Sequence, residues 1–125
     1  MNAATQVRWL KAVLIVTGLL CTFGFYPLTV VWPSGWAWGH GHSHYLFMII
    51  GLYATLGVFL LLAARNPLQH RSLIWFTVWS SVVHAGIMTW QSIMDSGERG
   101  HLVGDVPALL IVAVALTLLM PRRAA

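Results

Sequence analysis

Residues 44–64 read HYLFMIIGLYATLGVFLLLAA, and this stretch contains no aspartate, glutamate, lysine or arginine. As an α-helix it would be about 30 Å long, which is the thickness of the hydrocarbon core of a bilayer. Similar apolar stretches occur at residues 9–32, 72–93 and 102–120. The sequence therefore predicts an all-α integral membrane protein, a four-helix bundle of two helical hairpins, with residues 1–125 forming a single transmembrane domain.

The composition of the chain is that of a membrane protein. Hydrophobic residues make up 58% and charged residues 8% of the sequence, whereas about a quarter of the residues in a soluble domain are charged. The net charge of +4 comes from basic residues that stand in ones and twos at the ends of the apolar stretches. We therefore expect a lipid bilayer, and not nucleic acid, to surround the chain.

The positive charges predict the orientation in the membrane. With four crossings, six of the seven basic residues fall on one side, namely Arg8, Lys11, Arg65, Arg71, Arg122 and Arg123, while Arg99 falls on the other. Because positive loops face the cytoplasm, both termini are predicted to be cytoplasmic, in a bacterial inner membrane. Tryptophan favours membrane interfaces, so we predict an inner belt of Trp9, Trp75 and Trp79 and an outer belt of Trp32, Trp36, Trp38 and Trp90.

Polar side chains recur at spacings of three and four residues on one face of three predicted helices. These faces carry Thr77, Ser81, His84, Met88, Gln91 and Asp95 on the third helix, His44, Met48, Gly51 and Thr55 on the second, and His101, Asp105, Ala108 and Val112 on the fourth. Since lipid cannot satisfy polar groups, we predict that the three faces line an outward-opening pocket. His84 would lie about 16 Å deep, at its floor.

The fourth helix is predicted to start late. Pro107 fits only the first turn of a helix, and Asp105 is a good N-cap residue. The helix should therefore begin near Val106, with residues 98–105 dipping below the outer surface as non-helical backbone. Such backbone is tolerated at membrane depth only against protein or a watery cavity.

Histidines and carboxylates concentrate on the outer side and predict a copper or zinc site. His40, His42 and His44 alternate with small residues, so their imidazoles could surround a metal, although a solvated loop explains them about as well. The preferred hypothesis is a non-enzymatic metal-binding membrane protein. Its ligands would be Glu98, His101 and His44, with Asp105 and Gln91 beside them, His84 as a deeper ligand or proton acceptor, and Met48 and Met88 as thioether donors to copper or apolar filler.

Other interpretations stay open at this stage. Haem is disfavoured, because His44 and His84 differ in depth by about 16 Å and would not face each other across the ring. An accessory subunit of a larger membrane complex, or a homo-oligomer, needs no site residue at all. A small transporter lacks a polar route to the cytoplasm below His84. The sequence leaves undecided whether the pocket holds a metal ion, a quinone or a lipid.

Overall fold

The computed structural model describes residues 1–38 and 43–122, which form helices and their connections. Four of the helices in these residues are long: α1 (Ala3–Val31), α3 (His44–Ala63), α4 (Arg71–Met94) and α5 (Asp105–Leu119). The short helix α2 (Pro33–Trp36) follows α1, and 3₁₀ segments at Pro67–Gln69 and Ser96–Val103 precede α4 and α5.

Within the described ranges, four spans are long and apolar enough to cross a membrane, namely Ala3–Val31, His44–Ala63, Arg71–Met94 and Ser96–Leu119. They indicate a membrane protein, and the predicted all-helical class is confirmed. The predicted start of the first helix at residue 9 was too late. The Asn2 side chain accepts a hydrogen bond from the Thr5 amide at 2.8 Å, and this cap starts the helix at Ala3.

Helix α1 contains one π-helical turn at Leu20–Gly24. We attribute its position to Pro27, which has no amide proton and whose ring would clash with the Phe23 carbonyl four residues earlier. A wider turn before the proline accommodates this ring without ending the helix. The same turn contributes Leu20 and Cys21 to the wall of the cavity described below.

The helices follow one another around the bundle in the order α3, α1, α5, α4. Gly18 of α1 and Gly57 of α3 bring these two helices into backbone contact, since a Cβ atom on Gly57 would lie only 2.6 Å from the Gly18 carbonyl oxygen. Small residues allow such close approach in membranes. In contrast, α3 and α4 touch each other little, so the bundle is open on the side between them.

One end of the bundle, here called the basic end, is filled by a hydrophobic core of the fully buried residues Leu10, Leu14, Leu60, Ile74 and Leu116. The Gln6 side chain donates a hydrogen bond to the Leu118 carbonyl at 3.3 Å and so joins α1 to α5 there. This core closes the bundle at its basic end. The described basic residues at this end are Arg8, Lys11, Arg65, Arg71 and Arg122.

At the opposite end, α2 packs against the 3₁₀ helix Ser96–Val103, here called the 3₁₀ segment. Two glycines permit this contact, because a Cβ atom on Gly100 would overlap the backbone of Ser34, and one on Gly104 would overlap the backbone of Gly35. The connection between α1 and α3 and the start of the fourth span are therefore held together by backbone contacts.

The prediction of non-helical backbone at residues 98–105 was wrong. Ser96–Val103 is a 3₁₀ helix, and α5 begins at Asp105, one residue before the predicted start. Hydrogen bonds between residues three apart, such as the Gly104 amide to the His101 carbonyl at 3.2 Å, pair the backbone. Lipid cannot pair these groups, so a helical form is favoured.

Candidate functional site

A cavity of about 370 Å³ lies between the hydrophobic core and the opposite end of the bundle, with walls from all four long helices. This volume is in the range of small-molecule sites. Its wall includes Thr77, Ser81, His84, Met88 and Gln91 of α4, and Asp105, Ala108, Leu109 and Val112 of α5. The inward faces predicted for these two helices from the spacing of polar residues are therefore confirmed, apart from Asp95, which is exposed, and Gln91, which is exposed although it borders the cavity.

The inward face predicted for the second span was wrong. Its four residues, His44, Met48, Gly51 and Thr55, are exposed, Met48 to 60%, and Tyr53 lines the cavity instead. The Thr55 hydroxyl donates to the Gly51 carbonyl of its own helix at 3.0 Å. A polar side chain satisfied in this way can face lipid, so its position does not indicate which side of the helix is inside.

His84 is hydrogen-bonded through Nδ1 to the hydroxyl of Tyr53, across the gap between α4 and α3. We assign Tyr53 as the donor, because a phenol is the better proton donor and an imidazole nitrogen the better acceptor. The ring proton of His84 then resides on Nε2, since the bond at one ring nitrogen fixes the tautomer. Nε2 makes no hydrogen bond to a described residue, so this pair can offer an N–H donor to a molecule in the cavity.

Aromatic rings form much of the cavity wall. Phe25 stacks on Tyr53 with ring centroids 5.6 Å apart and planes inclined by 13°, and Trp36 meets Phe25 edge-on at 5.9 Å. Trp36 and Trp38 were predicted to be belt residues, but both line the cavity and Trp36 is only 8% exposed. Sequence reasoning also missed Tyr53, although a hydroxyl in the middle of an apolar span requires a partner.

At the end opposite the basic end, Glu98 and Asp105 contact the two nitrogens of one imidazole. His101 is 0% exposed, with Nδ1 2.9 Å from Asp105 Oδ1 and Nε2 3.0 Å from Glu98 Oε2. The Glu98 contact has the distance of a hydrogen bond but not its alignment. Trp38 covers the cluster: its ring stacks on His101 with centroids 3.8 Å apart, and its Nε1–H donates to Asp105 Oδ2 at 3.1 Å.

Asp105 is not the N-cap residue that the sequence predicted. Gly104 occupies that position, because the Asp105 carboxylate is engaged by His101 and Trp38. Both of its oxygens accept a hydrogen bond, as a buried carboxylate requires.

The two carboxylates of the cluster face different spaces. Asp105 lines the internal cavity. Glu98 lines a second, more open pocket at the surface, whose wall consists of Trp38, Trp90, Gln91, Met94, Asp95 and Glu98. Trp38 and Gln91 line both spaces, and the imidazole of His101 lies between the two carboxylates.

The predicted metal ligands are brought together only in part. Glu98, His101 and Asp105 meet, whereas His44 is exposed on α3 and His84 is paired with Tyr53. Of the residues predicted beside them, Gln91 and Met88 line the cavity and Met48 does not. His40 and His42 lie outside the described residues.

Among the residues that the structure describes, no group of three or more His, Cys, Asp and Glu side chains is arranged to hold a metal ion. In the cluster, each ring nitrogen of His101 faces a carboxylate. The cluster is a chain of polar contacts and not a ligand set around one point. Copper or zinc binding stays a prediction.

The fold and the cavity define a helical membrane protein with an internal, largely apolar cavity. The chain belongs to the Family of unknown function (DUF6632), which it matches over residues 4–125. No curated protein and no solved structure matches it.

Proposed function

We propose that this membrane protein binds a lipid-soluble molecule with a planar, carbonyl-bearing head, of the quinone class, inside its helix bundle. The observation that carries the proposal is the cavity of about 370 Å³, which is walled mainly by apolar and aromatic side chains and contains the His84–Tyr53 pair. Sites for small molecules combine apolar walls with a few convergent polar groups in this way.

The polar pair supports a head group that accepts hydrogen bonds. Tyr53 holds His84 with Nε2–H available, and a carbonyl oxygen is the natural acceptor for such a donor. The stacked rings of Phe25 and Tyr53 and the indole of Trp36 provide flat surfaces for a planar ring. A quinone head satisfies both conditions.

The shape of the cavity supports an attached apolar tail. The lining residues of α4 extend from Thr77 to Gln91, which corresponds to about 21 Å along the helix. Below His84 the lining includes Leu20, Leu56 and Val112, with only small polar groups among them. An apolar chain can lie in this part while the head remains at His84.

The gap between α3 and α4 supports access from the bilayer. These helices touch each other little, and Tyr45 of α3 and Ile87 of α4 are both exposed and part of the cavity wall. A molecule dissolved in lipid can therefore reach the cavity sideways, without crossing water.

Binding can be measured on the full chain in lipid nanodiscs with a short-chain isoprenoid benzoquinone as the probe. Quenching of tryptophan fluorescence reports binding, because Trp36 and Trp38 line the cavity. Ala108→Phe places a ring in the cavity, and overpacking of this kind costs about 1–3 kcal/mol, so affinity should fall roughly five- to 140-fold. Val114→Phe adds the same ring on the same helix at an exposed position and should leave affinity unchanged.

Equal quenching of both phenylalanine variants would place the quinone on the lipid-facing surface and overturn the proposal. Should Ala108→Phe fail to fold, His84→Leu removes the N–H donor at similar size and should weaken binding about two- to twelve-fold. A phospholipid retained by the purified protein and not displaced by the quinone would assign the carbonyl acceptor to a lipid ester, and would also overturn the quinone class.

We further infer that the basic end faces the cytoplasm and that the opposite end, with Glu98 and the surface pocket, faces the periplasm of a bacterial inner membrane. The inference is supported by the clustering of positive charge at the basic end, with Arg99 at the other. In a Cys21→Ser background, Ser96→Cys should react with an impermeant maleimide on intact cells, and Ser72→Cys only after lysis. The reverse pattern would refute this orientation.

The same purified sample separates the competing interpretations. Stoichiometric copper or zinc that is lost in a His84→Ala, His101→Ala double variant would support the metal prediction in place of quinone binding. Migration on native gels with other membrane proteins, together with no quinone affinity, would support the accessory-subunit prediction.

A further inference from the structure

Two carboxylates that face separate spaces are linked through one buried histidine. Glu98 lines the surface pocket and its side chain is 18% exposed, whereas Asp105 lines the internal cavity and is 4% exposed. His101 lies between them with one ring nitrogen toward each, at 3.0 and 2.9 Å. Trp38 stacks over the imidazole and helps to exclude water from this side of it.

An imidazole in this position can pass a proton from one side to the other. It accepts a proton on Nε2 from the Glu98 carboxyl group and releases the proton on Nδ1 to the Asp105 carboxylate. Glu98 then takes up a proton from water in the surface pocket. The imidazole now carries its single N–H proton on Nε2, and it regains its starting tautomer when this proton moves to Nδ1. Only bonds to hydrogen form and break, and no group is oxidised or reduced. Chains of Asp, Glu and His side chains relay protons in this way in membrane proteins.

We infer that Glu98, His101 and Asp105 form a proton relay between the surface pocket and the internal cavity. The relay supplies protons to water or to whichever molecule occupies the cavity. It does not require that the occupant be a quinone, so it stands or fails independently of the proposed function.

The surroundings of His101 leave these two carboxylates as its charged partners. The elements packed against the 3₁₀ segment are α2, α4 and α5. Trp38, which follows α2, and Asp105 of α5 contact the imidazole, and the backbone carbonyl of Ala37 is within hydrogen-bonding reach of it. Asp95 and Arg99 are exposed and form no ion pair with His101. The contact between Glu98 and His101 does not have the alignment of a hydrogen bond. Rotation of the partly exposed Glu98 side chain brings its carboxyl group into line with Nε2 for proton transfer.

The test is the speed at which Asp105 exchanges protons with the solvent. The full chain in nanodiscs is subjected to a rapid drop in pH, and the infrared band of the protonated carboxyl group is followed in time. The chain has only three acidic residues, so aspartate labelled with ¹³C separates Asp105 and Asp95 from Glu98, and Asp105→Asn assigns the remaining band.

Glu98→Gln and His101→Asn should each slow the appearance of the Asp105 band by roughly a hundredfold, because positioned proton-transfer groups contribute about this much or more. Both replacements keep a side chain that can hydrogen-bond but cannot pass a proton. Asp95→Asn makes the same change from carboxylate to amide next to the surface pocket but outside the relay, and should react at the wild-type rate.

A wild-type rate in His101→Asn would overturn the relay, as would equal slowing in Asp95→Asn and Glu98→Gln. If His101→Asn does not fold, Glu98→Gln decides alone, because Glu98 lies at the surface of the protein. A merely structural role for the cluster predicts lower thermal stability in these variants with an unchanged rate of proton exchange.

Discussion

Replacement of Tyr53 by phenylalanine removes one oxygen atom and keeps the ring that stacks on Phe25. His84 Nδ1 then loses its hydrogen-bond partner, and its ring proton is no longer directed to Nε2. Hydrogen bonds between side chains in membranes contribute about 0.6 kcal/mol on average and up to about 1.7 kcal/mol. If this energy orients His84 for its ligand, affinity for a short-chain benzoquinone should fall roughly three- to sixteen-fold.

The assay is the titration of tryptophan fluorescence in nanodiscs. Tyr26→Phe is the matched control, because Tyr26 is exposed and lies outside the cavity wall. Its affinity should equal that of the wild type. An unchanged affinity in Tyr53→Phe, or the same loss in Tyr26→Phe, would refute the role assigned to the hydroxyl of Tyr53.

Two further predictions concern the packing that shapes the site. Gly57→Leu should destabilise the bundle by about 1–3 kcal/mol or more, because its side chain would enter the backbone of α1, whereas Gly51→Leu on the same helix meets nothing within 4 Å and should be neutral. Detergent-induced unfolding measures both, and equal stabilities would contradict the contact between α1 and α3. Trp38→Phe keeps a ring over the imidazole but removes the hydrogen bond to Asp105, at a cost of about 1.5–3 kcal/mol, and the exposed Trp90→Phe should cost little. Identical melting temperatures would show that this hydrogen bond does not support the fold.

The spacing of polar residues was informative on α4 and α5 and misleading on α3. On α4, His84 has no partner within its own turn of helix and turns inward to Tyr53, so periodicity identified the correct face. On α3, Thr55 bonds to its own backbone and tolerates lipid. Here the rotation of the helix follows from the contact of Gly57 with α1, which the sequence of α3 alone does not contain.

The sequence identified the residues of the candidate site but not the contacts between them. The concentration of Glu98, His101 and Asp105 on one side was visible in the sequence and suggested metal ligands. Whether three such groups converge on a point or follow one another in a line depends on where the imidazole lies. That position is set by Trp38, which is more than 60 residues away in the sequence and reaches the cluster because α2 packs on the 3₁₀ segment.

The sequence by itself determined that this chain is a helical membrane protein, the number of its spans and the inward faces of two of them. These features follow from the length of a helix that crosses lipid and from the cost of an unpaired polar group in hydrocarbon. Only the tertiary structure decided the pairing of Tyr53 with His84, the internal cavity and the linear order of Glu98, His101 and Asp105. These features depend on how closely the helices pack: small residues let α1 and α3 approach each other, and α3 and α4 remain apart. The distance between two helices cannot be predicted from the residue spacing within either of them.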